Sequence, residues 1–445
     1  MSRTASLNLF VAFAFTVMAD PVSSVAYAIE AALRGVDGDL GDLFPTMAIV
    51  IGMIAVIAAS YDQLIRRFPR GGGGAISLAK AFGEGWAFIA IGALLVDFTL
   101  TIAISSAASA SALIAYVPSI AGARVPLAVG LTALVAGLIC LGQRGRVVFA
   151  TAALAFLGMA LVVIALGLGA DPVAAGSGAG GSHPFFSSAA VIPVLLAVPL
   201  GMALATGVEA PSDAIAQLGE LRDRGRRKVG RLTLMLMVAI VGGLTLGIAG
   251  LAVHLGIGLP PEDSTLLAEV ARAATGGGAA FAIFQVLSAL LLLAAAASSY
   301  LAASGLLKAL TLGGANGLVP RRFGIVNRVW VPYWGVFAVM AAAALLILLA
   351  AGRDQEIVHF YAVAVFAAFL GALSACARLS WLDRRRLDLA INVAGLVVVA
   401  FVLAVNLTRI DALIALAASA GVSVYLWRVW VARGRPEGIS TVASE

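Results

Sequence analysis

Apolar stretches of roughly 20 residues succeed one another almost end to end in this chain, and that recurrence leaves few folds open. A helix needs about 20 apolar residues to cross the ~30 Å hydrocarbon core of a bilayer. Twelve such stretches can be marked, at 8–33, 45–65, 86–116, 125–142, 146–170, 190–217, 231–258, 275–310, 330–351, 356–380, 388–407 and 411–432. None alternates polar and apolar residues as the strands of a membrane barrel do. A soluble fold is excluded as well, because only 12% of the 445 residues are charged, about half the usual share. The expected class is an all-α integral membrane protein of about twelve transmembrane helices. Cys140 and Cys376 each fall inside an apolar stretch and read as small core residues, with no disulfide framework and no metal site.

Charge then orients the helices. If the N-terminus lies inside, all but five of the 29 Lys and Arg residues fall on the cytoplasmic side; the exceptions are Arg34, Arg124, Arg272, Arg353 and Arg409. Such a bias is what the positive-inside rule demands, and a miscounted helix would scramble it. Both termini are expected in the cytoplasm of a cell-membrane protein. The net charge of +6 therefore reflects topology, and no nucleic-acid partner is expected. The first stretch has no small-residue cleavage site behind it and reads as a helix that stays. The loop at 171–189 is Gly-, Ser- and Ala-rich and external, and the loop at 218–230 is basic and internal. The 433–445 tail is too short to fold alone.

Two stretches carry signs of interruption. The first contains Ala19-Asp20-Pro21-Val22-Ser23-Ser24, where proline removes a donor and the serines offer competing hydrogen bonds. The sixth contains Pro199, Gly201, Gly207, Glu209 and Pro211 within thirteen residues. Broken helices opening two successive blocks of five mark an inverted-repeat transporter. The expected organisation is a first five-helix repeat at 8–170, a second at 190–380, and two additional helices at 388–432. Non-helical backbone at membrane depth must line a cavity or be buried in protein.

Acids sit beside both breaks. Asp20, Asp97 and Glu209 lie inside apolar runs, and Glu30 lies near the end of one. A charge at the bilayer centre costs several kcal/mol and by default marks function. In the third stretch Asp97, Thr101 and Ser105 recur every four residues and stack on one helix face. No basic residue shares those runs with Asp20, Asp97 or Glu209, so each needs a proton or a cation. The neighbours are oxygen donors, and no Cys–His cluster suits a transition metal. A hard monovalent cation, a proton, or both fit this set. His183, His254 and His359 fall near external ends and read as solvated. Tyr61, Tyr116 and Trp330 read as interfacial belt residues.

The stretch Asp20-Pro21-Val22-Ser23-Ser24-Val25-Ala26-Tyr27, with Glu30, resembles the first helix of the KUP and KimA-type potassium–proton symporters of the amino acid–polyamine–organocation superfamily. Four further stretches match in order. Phe68-Pro69-Arg70-Gly71-Gly72-Gly73 resembles the loop after the second helix, and Asp97 through Ser105 the third helix. Thr206-Gly207-Val208-Glu209 resembles the sixth, and Phe360-Tyr361 through Phe366 the start of the tenth. The resemblance covers residues 8–430 and implies a LeuT-like 5+5 inverted repeat. It implies potassium ligands at Asp20, Tyr27, Asp97, Thr101, Ser105, Thr206 and Tyr361, with Glu209 as the proton-coupled acid. Pro21, and Ala28 in place of a more usual Gly, depart from the pattern. So does the short tail, and regulation through a cytoplasmic C-terminal domain is not expected.

The resulting expectation is a secondary active transporter taking up potassium with a proton by alternating access. Asp37, Asp39 and Asp42 would line an acidic outer vestibule, and spans 1, 2, 6 and 7 would move against the rest. Potassium ion and proton are the expected substrates, the bilayer the expected surroundings and a homodimer a candidate assembly, with no cofactor. An amino-acid or amine permease on the same scaffold is the alternative, because Asp20 and Asp97 would suit an amine. A receptor or assembly factor that no longer transports is a third reading, against which the full set of intramembrane acids argues. No catalytic constellation supports an enzyme.

Overall fold

With no water in the hydrocarbon core, backbone N–H and C=O groups must pair within the chain, and here they pair as helices. The computed structural model describes residues 3–142, 145–178, 191–312 and 317–436. Among the described residues eleven helices are long and apolar enough to cross a membrane: Phe10–Gly35, Leu40–Arg67, Glu84–Tyr116, Pro118–Cys140, Ala150–Gly167, Val191–Ala216, Asp223–Leu255, Gly278–Thr311, Asp354–Leu382, Arg386–Asn406 and Ile410–Ala432. Between the eighth and ninth of these lies a shorter apolar helix, Tyr333–Leu349, of 17 residues, about 25 Å long at 1.5 Å per residue. Counted in sequence with it, the helices fall on the twelve expected stretches, and they are called the first to twelfth spans below. The extended pairing among the described residues is a single bridge, Ser177 with Leu259. The protein is an all-helical, multi-pass membrane protein.

Packing places the breaks at the centre. In the most apolar window of the sixth span 72% of the residues are buried, against 22% in each of the last two spans. The sixth span is thus wrapped by protein, while the last two face lipid with side chains such as Val393, Val397, Leu413 and Ile414. The first span packs on the sixth, the second on the seventh, the third on the eighth and the fourth on the ninth.

A polar knot ties the eleventh span to the second and tenth. The Asn392 amide donates to Gln63 Oε1 at 2.9 Å and to Ser380 Oγ at 3.2 Å. Gln63 in turn donates to the Asp388 carbonyl at 3.2 Å. Arg67 Nη2 donates to Ser380 Oγ at 3.1 Å, and its Nη1 meets Asp383 at 2.5 Å. Gln63, Ser380 and Asn392 are fully buried, so each bond spares a desolvated polar group.

The loops sort by charge as expected. Arg66, Arg67, Lys80, Arg227 and Arg385, from loops that the sequence assigns to one side, line a single cavity of about 680 Å³ with Asp383. A cavity of about 380 Å³ at the opposite end is lined by Glu30, Arg34, Arg124, Glu262, Arg353 and Asp354, among others. That second mouth corrects one expectation: Asp37, Asp39 and Asp42 do not line it. Asp39 instead caps the second span, accepting from the Gly41 N–H at 2.8 Å, and Asp42 is buried in the first turn. Both are helix-start roles that favour an acid near free N–H groups.

Candidate functional site

The two interruptions differ in extent. In the first span the helices Arg3–Ser23 and Val25–Gly35 are parted by one residue, Ser24, which keeps right-handed helical angles. Ser23 Oγ donates to the Asp20 carbonyl at 2.7 Å and Ser24 Oγ to the Pro21 carbonyl at 2.6 Å. These hydroxyls add bonds to local carbonyls, and the Asp20 carbonyl also accepts from the Ser24 N–H at 3.2 Å. The expected unwinding is here a short kink. In the sixth span the α-helix ends at Gly201, tightens into a 3₁₀ turn at Met202–Ala205 and unwinds over 206–209. A one-turn helix, Ala210–Asp213, comes next.

Glycine explains how the two breaks touch. Gly207 sits at φ +72°, and a Cβ there would lie 2.7 Å from Pro21 Cδ and 3.1 Å from Asp20 Oδ2. Only glycine accepts both that dihedral and that approach. The Asp20 carboxylate therefore rests directly on the unwound backbone, and Ser24 Oγ reaches the Leu204 carbonyl at 3.5 Å.

Buried oxygens of the first, third and sixth spans accompany this contact. Tyr27, Thr101 and Ser105 are fully buried, Thr206 is 1% exposed, Asp97 4% and Glu209 8%, while Asp20 is partly buried. Asp20 Oδ1, Tyr27 Oη, Ser105 Oγ, Thr206 Oγ1 and Glu209 Oε2 are shielded atoms with no hydrogen-bond partner among the described residues. The Tyr27 hydroxyl lies against Thr206 without closing a bond, and feels the charges of Asp20, Asp97 and Asp354. Glu209 feels Asp97, Asp213 and Asp20. Buried polar atoms are nearly always paired, and a native group left out needs a reason such as a bound ion. Asp20, Glu209 and Asp213 form no ion pair among the described residues. The donor set is oxygen throughout, which suits a hard cation. No three Asp, Glu, His or Cys side chains among the described residues group tightly enough to hold a metal ion between them. A cation here would be shared between carboxylate, hydroxyl and carbonyl oxygens.

An amino acid permease family model matches residues 7–430. The chain belongs to the amino acid permease family. The permease is also similar to the potassium transporter KimA of Bacillus subtilis strain 168, at 28% identity over 365 residues. That match covers 79% of the permease and 58% of the relative, so the chain spans under two thirds of the relative's length.

The structure brings some of the permease's candidate residues together and leaves others apart. Asp20 and Tyr27 of the first span, Asp97 of the third, and Thr206 and Glu209 of the sixth are brought together. Thr101 and Ser105 continue the buried face below Asp97. Tyr361 falls within the helix Asp354–Leu382, but its side chain lies outside the described residues. So does all of His183. Glu30 is separate: Arg34 Nη2 lies 2.8 Å from its Oε1, and the Leu266 N–H donates to its Oε2 at 2.9 Å. It caps the helix Leu266–Thr275.

Two residues escape the sequence reading. Tyr61, expected at an interface, is 2% exposed, stacks edge-on against Phe369 at 5.6 Å and feels Glu209, Asp213 and Asp97. Asp213 stands one helical turn past Glu209, at the end of an apolar run where an acid reads as interfacial. The signal available was its spacing from Glu209, which on helical backbone gives the same face. Tyr116 and Trp330 are exposed, as belt residues should be.

Proposed function

We propose that this permease takes up potassium together with a proton by alternating access. The observation that carries the reading is the set of unpartnered oxygens of Asp20, Tyr27, Thr206 and Glu209 at the sixth-span break, with Ser105 further along the third span. An alkali cation sheds its water only where oxygens replace it, and this cluster offers carboxylate, phenol, hydroxyl and unwound carbonyl groups. Asp97 and Thr101 stand beside them as further ligands, and Tyr361 is assigned with them by resemblance alone. Glu209 is the proton-coupled acid in this reading. Its proton neutralises one of several clustered carboxylates, so that cation and proton together leave a site that can close. The likeness to a potassium transporter supports potassium as the cargo.

In this reading the basic mouth faces the cytoplasm of a cell membrane, with both termini there, and the membrane potential assists entry by about 2.3 kcal/mol per charge per 100 mV. The pairing of corresponding spans, first on sixth through fourth on ninth, supports two five-helix repeats, 8–170 and 190–380. Two hydrogen bonds between the halves, Ser24 to Leu204 and Ser109 to Ala289, share one sequence offset of 180 residues.

The family description favours a second reading, an amino-acid or amine substrate. One experiment separates the two. Purified protein is heated in potassium, rubidium or sodium at constant ionic strength, and separately with amino acids and amines. A ligand that binds only the folded protein raises its stability by RT ln(1 + [L]/Kd). Stabilisation by potassium and rubidium supports the potassium reading. A response to an amino acid or amine with none to potassium moves the assignment to the permease alternative. Orientation is checked by single cysteines at Asp263 and Gly225: impermeant reagents on whole cells should label the first and spare the second.

A further inference from the structure

Asp213 has no part in the proposed cation cluster, yet its surroundings are built around it. It ends the one-turn helix beyond the break. It is partly accessible where Glu209 is buried, and it lies four residues nearer the basic mouth along the same segment. Ser212 Oγ, whose shorter bond goes to the Glu209 carbonyl at 2.8 Å, lies 3.3 Å from its Oδ1. Its charge acts on Glu209 and on Tyr61.

A glycine loop holds it in place. Residues 71–74 are all glycine. Gly73 sits at φ +32°, and a Cβ there would fall on Asp213 Oδ1 and 2.8 Å from Ser212 Oγ. Gly71 sits at φ +92°, with its Cβ position 2.7 Å from Ala216 Cβ. A side chain at Gly73 would push the carboxylate aside, and the positive dihedral favours glycine there as well.

We propose that Asp213 relays the coupling proton between Glu209 and the basic mouth, and that the 71–74 loop is the seat that positions it. This rests on the proton-coupled reading above. The balance is simple. The O–H bond of the Glu209 carboxyl breaks as one forms on the Asp213 carboxylate. The Asp213 O–H then breaks in turn, and bulk water on the basic side takes the proton. No other species is consumed.

The charged groups around the relay are few. Asp20 comes from the first span, Tyr61 from the second, Asp97 from the third and Glu209 from its own segment. The second span also carries Asp62, Arg66 and Arg67, of which Asp62 pairs with Arg66 and Arg231. Of the seventh span, Asp223 pairs with Arg70, Arg226 binds the Leu218 carbonyl and Arg227 lines the basic cavity. Lys80, on the helix Gly73–Phe82, lines that cavity too. No ion pair among the described residues neutralises Asp213.

The test separates binding, exchange and net coupling in proteoliposomes. Wild type is assayed for potassium uptake driven by a pH gradient and for rubidium–potassium exchange at equal pH. Asp213→Asn should keep potassium-dependent thermal stabilisation and exchange, since exchange of the loaded carrier releases no proton. Its gradient-driven uptake should fall by about 100-fold, the low end of what a positioned proton-transfer group contributes. Asp213→Glu should restore part of the loss with a shifted pH profile, and Gly73→Ala, which displaces the carboxylate, should reproduce it. Coupled uptake in Asp213→Asn with the wild-type rate and pH profile overturns the relay while leaving the proposed function standing. Loss of stabilisation and exchange along with uptake in both Asp213→Asn and Gly73→Ala also overturns it, in favour of a purely structural seat. Wild type that exchanges or accumulates no potassium sinks the underlying reading and the relay together.

Discussion

The first and sixth spans carry similar warnings in sequence and answer them differently. Each has proline, a hydroxyl-bearing residue and an acid, yet one kinks over a single residue and the other opens over eight. The difference lies in the residues next to each proline. Past Pro21 come two serines whose hydroxyls satisfy the Asp20 and Pro21 carbonyls, so the helix resumes at once. In the sixth span Gly207 takes a left-handed angle and Pro211 blocks helical pairing upstream, so the chain cannot close its ladder through 206–209. In the proposed cation site the kinked span would therefore offer side chains, and the unwound span both side chains and backbone. Prolines announce a break, while neighbouring hydroxyls and glycines decide its size.

That contrast can be broken by mutation, and the largest effect should come from the unwound side. Glu209→Gln keeps the shape of a protonated acid, so gradient-driven accumulation of potassium should vanish while thermal stabilisation by potassium survives. Intact accumulation with unchanged pH dependence would remove Glu209 from the coupling role. Next comes Asp97→Asn on the third span, which faces both breaks. Removing a unit charge at ~4 Å in a medium of effective dielectric ~20 forfeits up to about 4 kcal/mol. Screening by the other acids reduces this, and a tenfold to hundredfold weaker apparent affinity in rubidium uptake is the expected result, about 1.4–2.7 kcal/mol. An unchanged affinity would place the cation elsewhere.

Gly207→Ala tests the unwinding itself. A left-handed dihedral costs a residue with a Cβ about 1–2 kcal/mol, and the contact with Pro21 adds to it. A lower melting temperature and weaker cation response are expected together, and a neutral outcome would mean that the two breaks do not need their close contact. Ser24→Ala tests the kink. The loss of one hydroxyl-to-carbonyl bond should cost about 0.5–1.5 kcal/mol with transport largely kept. Tyr27→Phe should be smallest, a few-fold change in cation affinity, read in the same uptake assay. A Ser24→Ala effect larger than that of Gly207→Ala would invert the ranking of the two breaks.

Much of this was legible in the chain. Span count came from apolar run length, and the convergence of loop charges into two mouths came from the arginine pattern. Asp20, Asp97 and Glu209 were visible because nothing else explains an acid in an apolar run. Asp213 and Tyr61 were hidden by their position near span ends, where polar residues are ordinary. Their burial depends on which loop covers them, and the loop against Asp213, 71–74, lies about 140 residues away from it in sequence. The acids Asp37, Asp39 and Asp42 misled for the converse reason: helix starts recruit acids for capping whether or not a cation passes nearby.

The knot of Gln63, Ser380 and Asn392 has a bearing on what opening the basic mouth costs. Any motion that parts the second span from the tenth must tear Arg67 from Asp383 and Ser380 and strand Gln63 and Asn392 without partners in an apolar setting. The opposite mouth has a network of its own: Ser111 Oγ donates to Asp354 Oδ1 of the tenth span at 2.7 Å, and Arg124 donates to Ser111 Oγ at 2.9 Å and to the Glu262 carbonyl at 2.6 Å. It is rimmed by Arg353 with Glu262, a partly exposed pair at 3.1 Å, and such surface pairs contribute about 1 kcal/mol or less. Both mouths are thus tied by buried polar bonds, the basic one between the second, tenth and eleventh spans and the other between the third, fourth and tenth. To open either mouth the protein must break one of these networks and give its buried groups new partners.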